Sequence, residues 1–381
     1  MNEAVLTELF DYAVKIRRTI HRHPEVGFDL PVTTALVKRE LLAMGITPDE
    51  RYGVCSLAAD LGQGEKCIAL RADMDALPVE ENADVPFRSE IPGKMHACGH
   101  DSHTAALLAV AKYLKTHEEE LPCRVRLIFQ PSEEGAVSGA KMMADRGVME
   151  GVTEVLCAHC EQELEVGRIG IHAGDYQAAC IPATIRFFGR SAHAALPHRG
   201  IDAVAMAVEA YVRMKAKVAE LAEDRRYIWN VGHFSGGEVH NVIPDICTMD
   251  ISFRFYDLEF AARVEKEIKA ICEDAAKKLG GRVEFDWHMS AGPVYNDPAL
   301  CEGFIAAQKA AGTDVCEIPS RLSSEDFCWF LEKTPGFIFR FGTRNEETGC
   351  ISVAHTSEFC MDERGIRSAI RAFIVYVMQR R

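Results

Sequence analysis

The sequence predicts an α/β catalytic-type domain with a mostly parallel sheet flanked by helices, interrupted by an inserted ferredoxin-like α+β domain. Two observations predict this arrangement. Strand patterns alternate with helix patterns in the first part of the chain, and such alternation is typical of a parallel sheet covered on both faces. From Cys180 the order changes to β-α-β-β-α-β, the split ferredoxin-like unit. The predicted domains are residues 1–179 with 291–381, and residues 180–290.

The first domain begins with an amphipathic helix pattern and continues with the strand CIALRAD and the helix HTAALLAVAKYLKTH. The strand CRVRLIFQ follows and is stopped by Pro131, because proline cannot donate to a sheet ladder. A helix over SGAKMMADRG and the strand VTEVLCAH complete this part. After the insertion we expect a helix over residues 298–311, the loop RLSSEDF, the strand GFIFRFG and a final helix.

The inserted domain shows four strand patterns and two helix patterns. IPATIRFFGRSAH is a strand, IDAVAMAVEAYVRMKAKVAELAE a long helix, and YIWNVGHFSGG and CTMDISFRFYD are two consecutive strands. A helix over residues 259–279 and the strand RVEFDWHMS follow. This order predicts one antiparallel sheet with both helices packed against it.

Composition excludes several classes of function. The chain has 381 residues and a formal net charge of −14, which argues against a nucleic-acid backbone or an anionic membrane surface as partner. No run of residues is apolar and long enough to span a bilayer, and the N-terminus does not have the pattern of a signal peptide. Fourteen cysteines without framework spacing indicate reduced thiols in a cytoplasmic protein.

Carboxylate and imidazole side chains follow four predicted strands of the first domain. In open α/β sheets, ligands bind just beyond the carboxyl ends of the strands. Because parallel strands end at one edge, we expect these side chains to share a site. They are Asp73 and Asp75 after CIALR, Glu133 and Glu134 after VRLIFQ, His159 closing EVLCAH, and His355 closing a short strand ISVAH.

The segment GKMHACGHDSHTAA adds cysteine and histidine to this edge. Taken alone, it also has a structural interpretation, because Cys is a common core residue and His often pairs with a buried neighbour. Adjacent carboxylates at buried strand ends are costly unless a cation neutralises them. Thiolate, imidazole and carboxylate together are ligands of zinc and similar divalent metals. Five candidates suit two metals that share one ligand: Cys98, His100, Glu134, His159 and His355.

Glu133 differs from its neighbour Glu134 because it points elsewhere around the turn and is free of the predicted ligand set. A free carboxylate beside a metal-activated water acts as a general base. Glu133 is therefore the candidate base.

Eight segments of the chain resemble those of a known family. The chain is similar to the N-acyl-amino-acid amidohydrolases, a branch of dinuclear metallopeptidases that contains hippurate hydrolase, aminoacylase and plant auxin-conjugate hydrolases. The resemblance runs from His21 to Phe359 and implies a catalytic domain interrupted by a dimerisation or lid domain. The segments are HRHPEVGF, ALRADMDALP, MHACGHDSH, FQPSEEG, GRSAHAALPHRGIDAV, GGEVHNVIPD, SSEDF and AHTSEF.

The resemblance implies hydrolysis of the amide bond of N-acyl amino acids, with release of a carboxylic acid and a free amino acid. It implies two divalent metal ions per subunit, whether zinc, manganese, cobalt or nickel. Cys98 is then the bridging ligand. One metal is completed by His100 and His159, or a similar division, and the other by Glu134 and His355.

Three further residues of the inserted domain match family positions. His193 matches a histidine that reaches into the partner subunit's site and stabilises the oxyanion, which implies a homodimer or a larger homo-oligomer. Asn241 and Arg254 match positions that bind the substrate's carbonyl or carboxylate. Related dinuclear peptidases have His-x-Asp where this chain has Asp73-Met74-Asp75. His100 is expected to replace the missing imidazole, and Asp75 to orient a ligand.

Other interpretations stay open on the sequence alone. The nearest is a dipeptidase or carboxypeptidase that uses the same dinuclear centre. A metal-dependent sensor with a degenerate site and a hydrolase with Cys98 as nucleophile are the others. The residues after His159, Cys160-Glu161-Gln162, depart from the apolar, proline-containing stretch usual in the family. We interpret Cys160 as a bystander, and His96 and His103 as supporting residues.

Overall fold

The computed structural model describes residues 2–380 of the chain. These residues form two compact units. The first contains the chain up to Tyr176, Val294–Ser320 and the chain from Glu325 onward, and the second contains Gln177–Pro293 and Arg321–Ser324. The short segment Arg321–Ser324 belongs to the second unit although no sequence pattern indicated it.

Nine α-helices occur in the described chain, and two of them, Ala203–Ala222 and Leu258–Leu279, belong to the second unit. Two short 3₁₀ helices cover Glu118–Glu120 and Pro197–Arg199. Among residues 2–380, we find no helix with the length and apolar character needed to cross a membrane. The α-helices are α1 (Glu3–Arg22), α2 (Pro31–Ala43), α3 (His100–Thr116), α4 (Gly139–Asp145), α5 (Ala203–Ala222), α6 (Leu258–Leu279), α7 (Pro298–Ala310), α8 (Cys328–Leu331) and α9 (Arg364–Met378).

The strands of the described chain form one seven-stranded sheet, one four-stranded sheet and two short ribbons. They are β1 (Leu57–Leu61), β2 (Cys67–Asp73), β3 (Arg124–Gln130), β4 (Glu154–Glu165), β5 (Ile169–Ile171), β6 (Gly174–Gln177), β7 (Ala179–Phe188), β8 (Ala192–His193), β9 (Ile228–Gly236), β10 (Val242–Ile243), β11 (Ile246–Phe255), β12 (Arg282–Trp287), β13 (Val294–Asn296), β14 (Val315–Glu317) and β15 (Gly336–Arg344).

The seven-stranded sheet of the first unit has the order β1-β3-β2-β4-β15-β5-β14. The central pairs β3–β2, β2–β4 and β4–β15 are parallel, as is β5–β14, whereas β1–β3 and β15–β5 are antiparallel. Every residue of β2 is buried, which is typical of a strand covered on both faces. The predicted α/β class with a mostly parallel sheet is confirmed.

Two predicted strand ends were wrong. His159 lies inside β4, which continues to Glu165 because β15 pairs alongside it as far as this end. His355 lies on no strand: the segment ISVAH is a loop, and His355 adopts a left-handed backbone conformation with φ of 65°. A single apolar run without a pairing partner cannot be distinguished from a loop by pattern alone.

The second unit contains the sheet β12-β7-β11-β9, in which every neighbouring pair is antiparallel. Along β7 and β11, buried side chains alternate with more exposed ones, so one face of the sheet forms a core under α5 and α6. The predicted ferredoxin-like order β-α-β-β-α-β is confirmed. The ribbon β8–β10 adds a feature that the patterns did not predict.

A buried polar network ties α1 to the start of α3. His21 Nδ1 lies 2.8 Å from Asp101 Oδ2, and His21 Nε2 lies 3.1 Å from Glu81 Oε1. Arg17 Nε lies 3.1 Å from the same Asp101 oxygen. His96 is buried near this network, with its ring centroid 6.2 Å from that of His21. Neither ring nitrogen of His96 has a hydrogen-bond partner, and burial lowers its pKa to about 3.

This buried histidine predicts a loss of stability in acid. The unfolded chain binds a proton on His96 below pH 6.5 and the folded chain does not until about pH 3. The contribution of His96 to the free energy of unfolding therefore falls as the pH falls through this window, by about 1.4 kcal/mol per pH unit. Lowering the pH from 6.5 to 5 should reduce the free energy of unfolding of the metal-free wild type. In metal-free His96→Gln we expect this reduction to be smaller by about 2 kcal/mol, measured by urea denaturation. The control is exposed His288→Gln, and equal losses in wild type and His96→Gln contradict the prediction.

Candidate metal centre

The segment between Cys98 and α3 turns sharply at Gly99. Gly99 has φ of 81°, and a Cβ at this position would lie 2.5 Å from Cys160 Sγ. Only glycine satisfies both the left-handed backbone and the close approach. The turn separates Cys98 from His100, which is the first residue of α3.

His100 presents a buried lone pair to three carboxylates. Its Nδ1 lies 2.8 Å from the backbone oxygen of Asp75, which only accepts, so the proton of the neutral ring is on Nδ1. Nε2 is buried without a hydrogen-bond partner. It lies 3.8 Å from Asp73 Oδ2, 3.8 Å from Glu133 Oε2 and 3.9 Å from Glu134 Oε1. These separations are too long for hydrogen bonds, so the lone pair on Nε2 is available to bind a cation.

The ring of His159 is also held through Nδ1 by a backbone oxygen, and its Nε2 faces Cys98. Its Nδ1 lies 2.7 Å from the backbone oxygen of Cys160, which again leaves the lone pair on Nε2. That Nε2 lies 3.5 Å from Cys98 Sγ. His355 is half exposed, and its Nε2 lies 3.0 Å from Glu134 Oε1. The backbone N–H of His355 donates to the oxygen of Ala97, which holds its loop beside the cysteine.

The five predicted ligands come together in two groups that share Cys98. In each group, the potential ligand atoms all lie within 4.8 Å of one another. Each group combines a thiol with imidazole, and one also contains a carboxylate, the donor types of borderline divalent metals. The groups are Cys98 with His100 and His159, and Cys98 with Glu134 and His355.

The electrostatics of the cluster also fit a cation. Burial opposes a charge on His100, but Asp73 and Asp75 outweigh it and raise its pKa to about 10. Burial and the neighbouring carboxylates of Glu325 and Glu134 raise the pKa of Glu133 well above its usual range. A negative field that drives protons onto buried side chains favours a divalent cation in their place. The residues therefore fit metal binding.

Asp75 is a positioning residue in this arrangement. Its two carboxylate oxygens accept the backbone N–H groups of Glu133 and Glu134, at 2.9 and 3.2 Å. Its backbone oxygen accepts from His100. One residue thus fixes the turn that contains both glutamates and the ring orientation of His100.

Sequence reasoning missed a second buried network, centred on Arg71. Arg71 donates to Asp73 Oδ2 at 2.7 Å and to Gln130 Oε1 at 2.7 Å. It also pairs with Glu325 Oε1 at 3.1 Å and Asp326 Oδ1 at 3.0 Å. The guanidinium ties the ends of β2 and β3 to the segment SSEDF. An arginine inside a fully buried strand was the available signal.

His103 and Cys160 support the site rather than complete it. His103 Nδ1 lies 2.6 Å from Asp73 Oδ1, and its Nε2 accepts the backbone N–H of Cys160 at 2.9 Å. Both ring nitrogens are therefore occupied, although His103 lies close to His159. The Cys160 thiol donates to the backbone oxygen of Cys98 at 3.2 Å. His103 was interpreted as a supporting residue and Cys160 as a bystander, and both make hydrogen bonds that hold the segments around the site.

The remaining predicted residues belong to the second unit. His193 is exposed on β8 and pairs with Val242 of β10, next to Asn241, whose backbone oxygen accepts the N–H of Ala194. Arg254 lies on β11 and is half-buried. Its Nη1 donates to the oxygen of Leu322 and to Ser324 Oγ, both at 3.0 Å.

Known proteins with similar sequences share most of the chain. N-acetyl-L-cysteine deacetylase of Bacillus subtilis is 35% identical over 97% of this chain and 88% of its own. Thermostable carboxypeptidase 2 of Saccharolobus solfataricus is 34% identical over 93% of this chain and 92% of its own length. IAA-amino acid hydrolase ILR1-like 4 of Arabidopsis thaliana is 33% identical, over 93% and 82%.

A solved structure and a family model agree with these relatives. The Bacillus subtilis YxeP protein, a dinuclear metal-binding peptidase of the M20 family, superposes with a TM-score of 0.84 at 29% identity. The alignment covers 99% of this chain and 98% of that one. The family model matches residues 69–379. The chain therefore belongs to peptidase family M20/M25/M40 and is a metal-dependent hydrolase that acts on amide bonds.

Proposed function

We propose that this chain hydrolyses N-acyl amino acids to a carboxylic acid and a free amino acid. The observation that carries the proposal is a half-buried carboxylate, Glu133, beside a cluster of potential metal ligands, with its Oε2 3.8 Å from His100 Nε2. Two relatives support the substrate class, since an N-acetylcysteine deacetylase and an IAA-amino acid hydrolase are named for acyl amino acids.

The two groups of side chains that share Cys98 are the proposed metal ligands, with Cys98 as the bridge. Bound ions polarise a substrate carbonyl and lower the pKa of water toward about 7. The thiolate, imidazole and carboxylate set suits zinc, manganese, cobalt or nickel. Zinc is the first ion to test because it binds all three donor types.

Glu133 is the proposed general base. Its Oε2 lies 3.8 Å from His100 Nε2, so the carboxylate stands beside the proposed ligands, where a general base must act. Asp75 holds its backbone, so the side chain is directed by a fixed turn. In the proposed reaction, Glu133 takes a proton from the attacking water and gives it to the leaving amine nitrogen.

His193 is the proposed oxyanion donor. Its Nδ1 accepts the backbone N–H of Ala195 at 3.0 Å, so the proton of the neutral ring is on Nε2. An exposed ring N–H in a fixed tautomer is suited to stabilise a developing oxyanion. The proposal includes a homodimer in which His193 acts in the partner's site, with residues 180–290 as the dimerisation or lid domain.

Arg254 and Asn241 are the proposed anchors of the substrate carboxylate. Arg254 uses Nη1 for the protein contacts to Leu322 and Ser324. A guanidinium has five N–H donors in a planar fork, so the other nitrogen atoms can bind a carboxylate. Asn241 is exposed beside β10 and offers an amide donor. A cytoplasmic location is part of the proposal, because all fourteen cysteines are free thiols.

A carboxypeptidase is the second candidate, because relatives with that name are 34% identical to this chain. The two candidates are separated by measuring the release of free amino acid from a panel of substrates. The panel contains N-acetyl-amino acids, N-benzoyl-amino acids, matched dipeptides and C-terminally extended peptides. Metal-dependent hydrolysis of the blocked amino acids supports the proposal. Turnover confined to the peptides contradicts it and supports the peptidase.

Glu133→Gln tests the base directly. The amide keeps the size of the side chain and cannot accept a proton, so we expect kcat to fall about 10²–10⁴-fold. The metal content, measured by inductively coupled plasma mass spectrometry, should stay unchanged. The matched variant Glu134→Gln should lose metal as well as activity. Wild-type turnover in Glu133→Gln excludes its role as base.

His193→Ala tests the oxyanion donor. We expect a fall in kcat of about 10²–10³-fold with little change in thermal stability, since the side chain is exposed. The control is His198→Ala, an exposed histidine in the following 3₁₀ helix. The measurements are kcat with an N-acylated amino acid and the melting temperature of each variant. Equal kcat in His193→Ala and His198→Ala rejects the assignment.

A further inference from the structure

Two cysteines of the first unit, Cys350 and Cys360, lie together at a cavity that the proposed hydrolysis does not use. The cavity has a volume of about 440 Å³. Both cysteines line it, together with the buried cation Arg17. Both residues are only partly buried and are therefore accessible to small reagents from the cavity.

The backbone holds the two cysteines at the base of one loop. Cys350 and Asn345 exchange two backbone hydrogen bonds of 2.9 Å. The backbone N–H of Cys360 donates to Ser352 Oγ at 2.8 Å, and its thiol donates to the oxygen of Gly349 at 3.6 Å. The two residues thus close residues 351–359 into a loop, and their side chains are in contact across its base.

The two thiols have different chemical characters. Contact with the Cys350 thiol lowers the pKa of Cys360 to about 6, and Ser352 and Arg17 act in the same direction. The same contact, together with burial, raises the pKa of Cys350. A thiol with a lowered pKa is a thiolate at neutral pH and attacks disulfides, while its neighbour resolves the product.

The loop between the cysteines carries His355. Its ring lies 3.0 Å from Glu134, and its backbone, with φ of 65°, is held by the bond to Ala97. Both cysteines are free thiols, and a disulfide joins the two sulfur atoms by a covalent bond of about 2.05 Å. Closing the bond therefore changes the base of the loop that positions His355.

We propose that Cys350 and Cys360 are a redox-active dithiol that forms an intramolecular disulfide by exchange with low-molecular-weight disulfides. The Cys360 thiolate attacks one sulfur of the reagent RSSR and expels one thiolate, RS⁻. Cys350 then attacks the Cys360 sulfur and expels the second. The protons of both cysteines end on two RSH molecules, and the two electrons pass to the reagent. Oxidation displaces His355, and this second step rests on the proposed metal site.

Peptide mapping after treatment with glutathione disulfide tests the first step. We expect a Cys350–Cys360 crosslink in the full-length protein, reversed by dithiothreitol. The variant Cys350→Ser should carry glutathione on Cys360. In Cys360→Ser, Cys350 should be modified at least about tenfold less than Cys360 is in Cys350→Ser. The control Cys316→Ser, another half-buried thiol, should behave as wild type. Equal modification of the half-buried cysteines without a crosslink overturns the proposal.

Release of zinc to a chromogenic chelator tests the second step. We expect oxidised wild type to release zinc about tenfold faster than the reduced protein. Cys350→Ser should release zinc at one rate under both conditions. Equal rates in oxidised and reduced wild type overturn the coupling to His355. A reduced protein that binds no zinc overturns the metal site and the coupling, whereas the mapped disulfide tests the dithiol independently.

Discussion

The structure depends on an excess of buried negative charge at one edge of the seven-stranded sheet. The buried Asp73 and Asp75 and the half-buried Glu133 and Glu134 meet around His100, and their charges cannot be held so close together without compensation. Arg71 supplies one buried positive charge, shared with Glu325 and Asp326. Carboxylates raise the pKa of His100 against the effect of its burial, and burial together with neighbouring carboxylates raises the pKa of Glu133, so the site carries more negative charge than Arg71 balances. A divalent cation completes the compensation.

The fold makes this concentration of charge possible. Parallel pairing of β3, β2 and β4 brings the end of β2 level with the end of β3, as Asp73 pairs with Gln130. Backbone groups then fix the side chains that follow, because Asp75 accepts two N–H groups of the glutamate turn. Backbone oxygens fix the rings of His100 and His159, so that the lone pair on Nε2 of each ring is directed toward the group that contains Cys98.

Much of this arrangement is predictable from the sequence. The alternation of strands and helices predicts the sheet, and carboxylates placed after CIALR and VRLIFQ predict its functional edge. The position of His159 inside β4 could not be predicted, because the length of a strand depends on its partner β15. His355 is on a loop whose course is set by Ala97, a contact distant in sequence. The same holds for Arg71 and for the pair Cys350 and Cys360, which acquire meaning only through their spatial neighbours.

Anomalous diffraction from crystals of the zinc-loaded protein tests the central claim most directly. The account predicts two metal peaks per chain, each about 2.3 Å from Cys98 Sγ. One peak should also contact His100 and His159, and the other Glu134 and His355, with Glu133 bound to neither. A single peak, or a peak that is ligated by Glu133 and distant from Cys98, would contradict the dinuclear site and the assignment of Glu133 as its base.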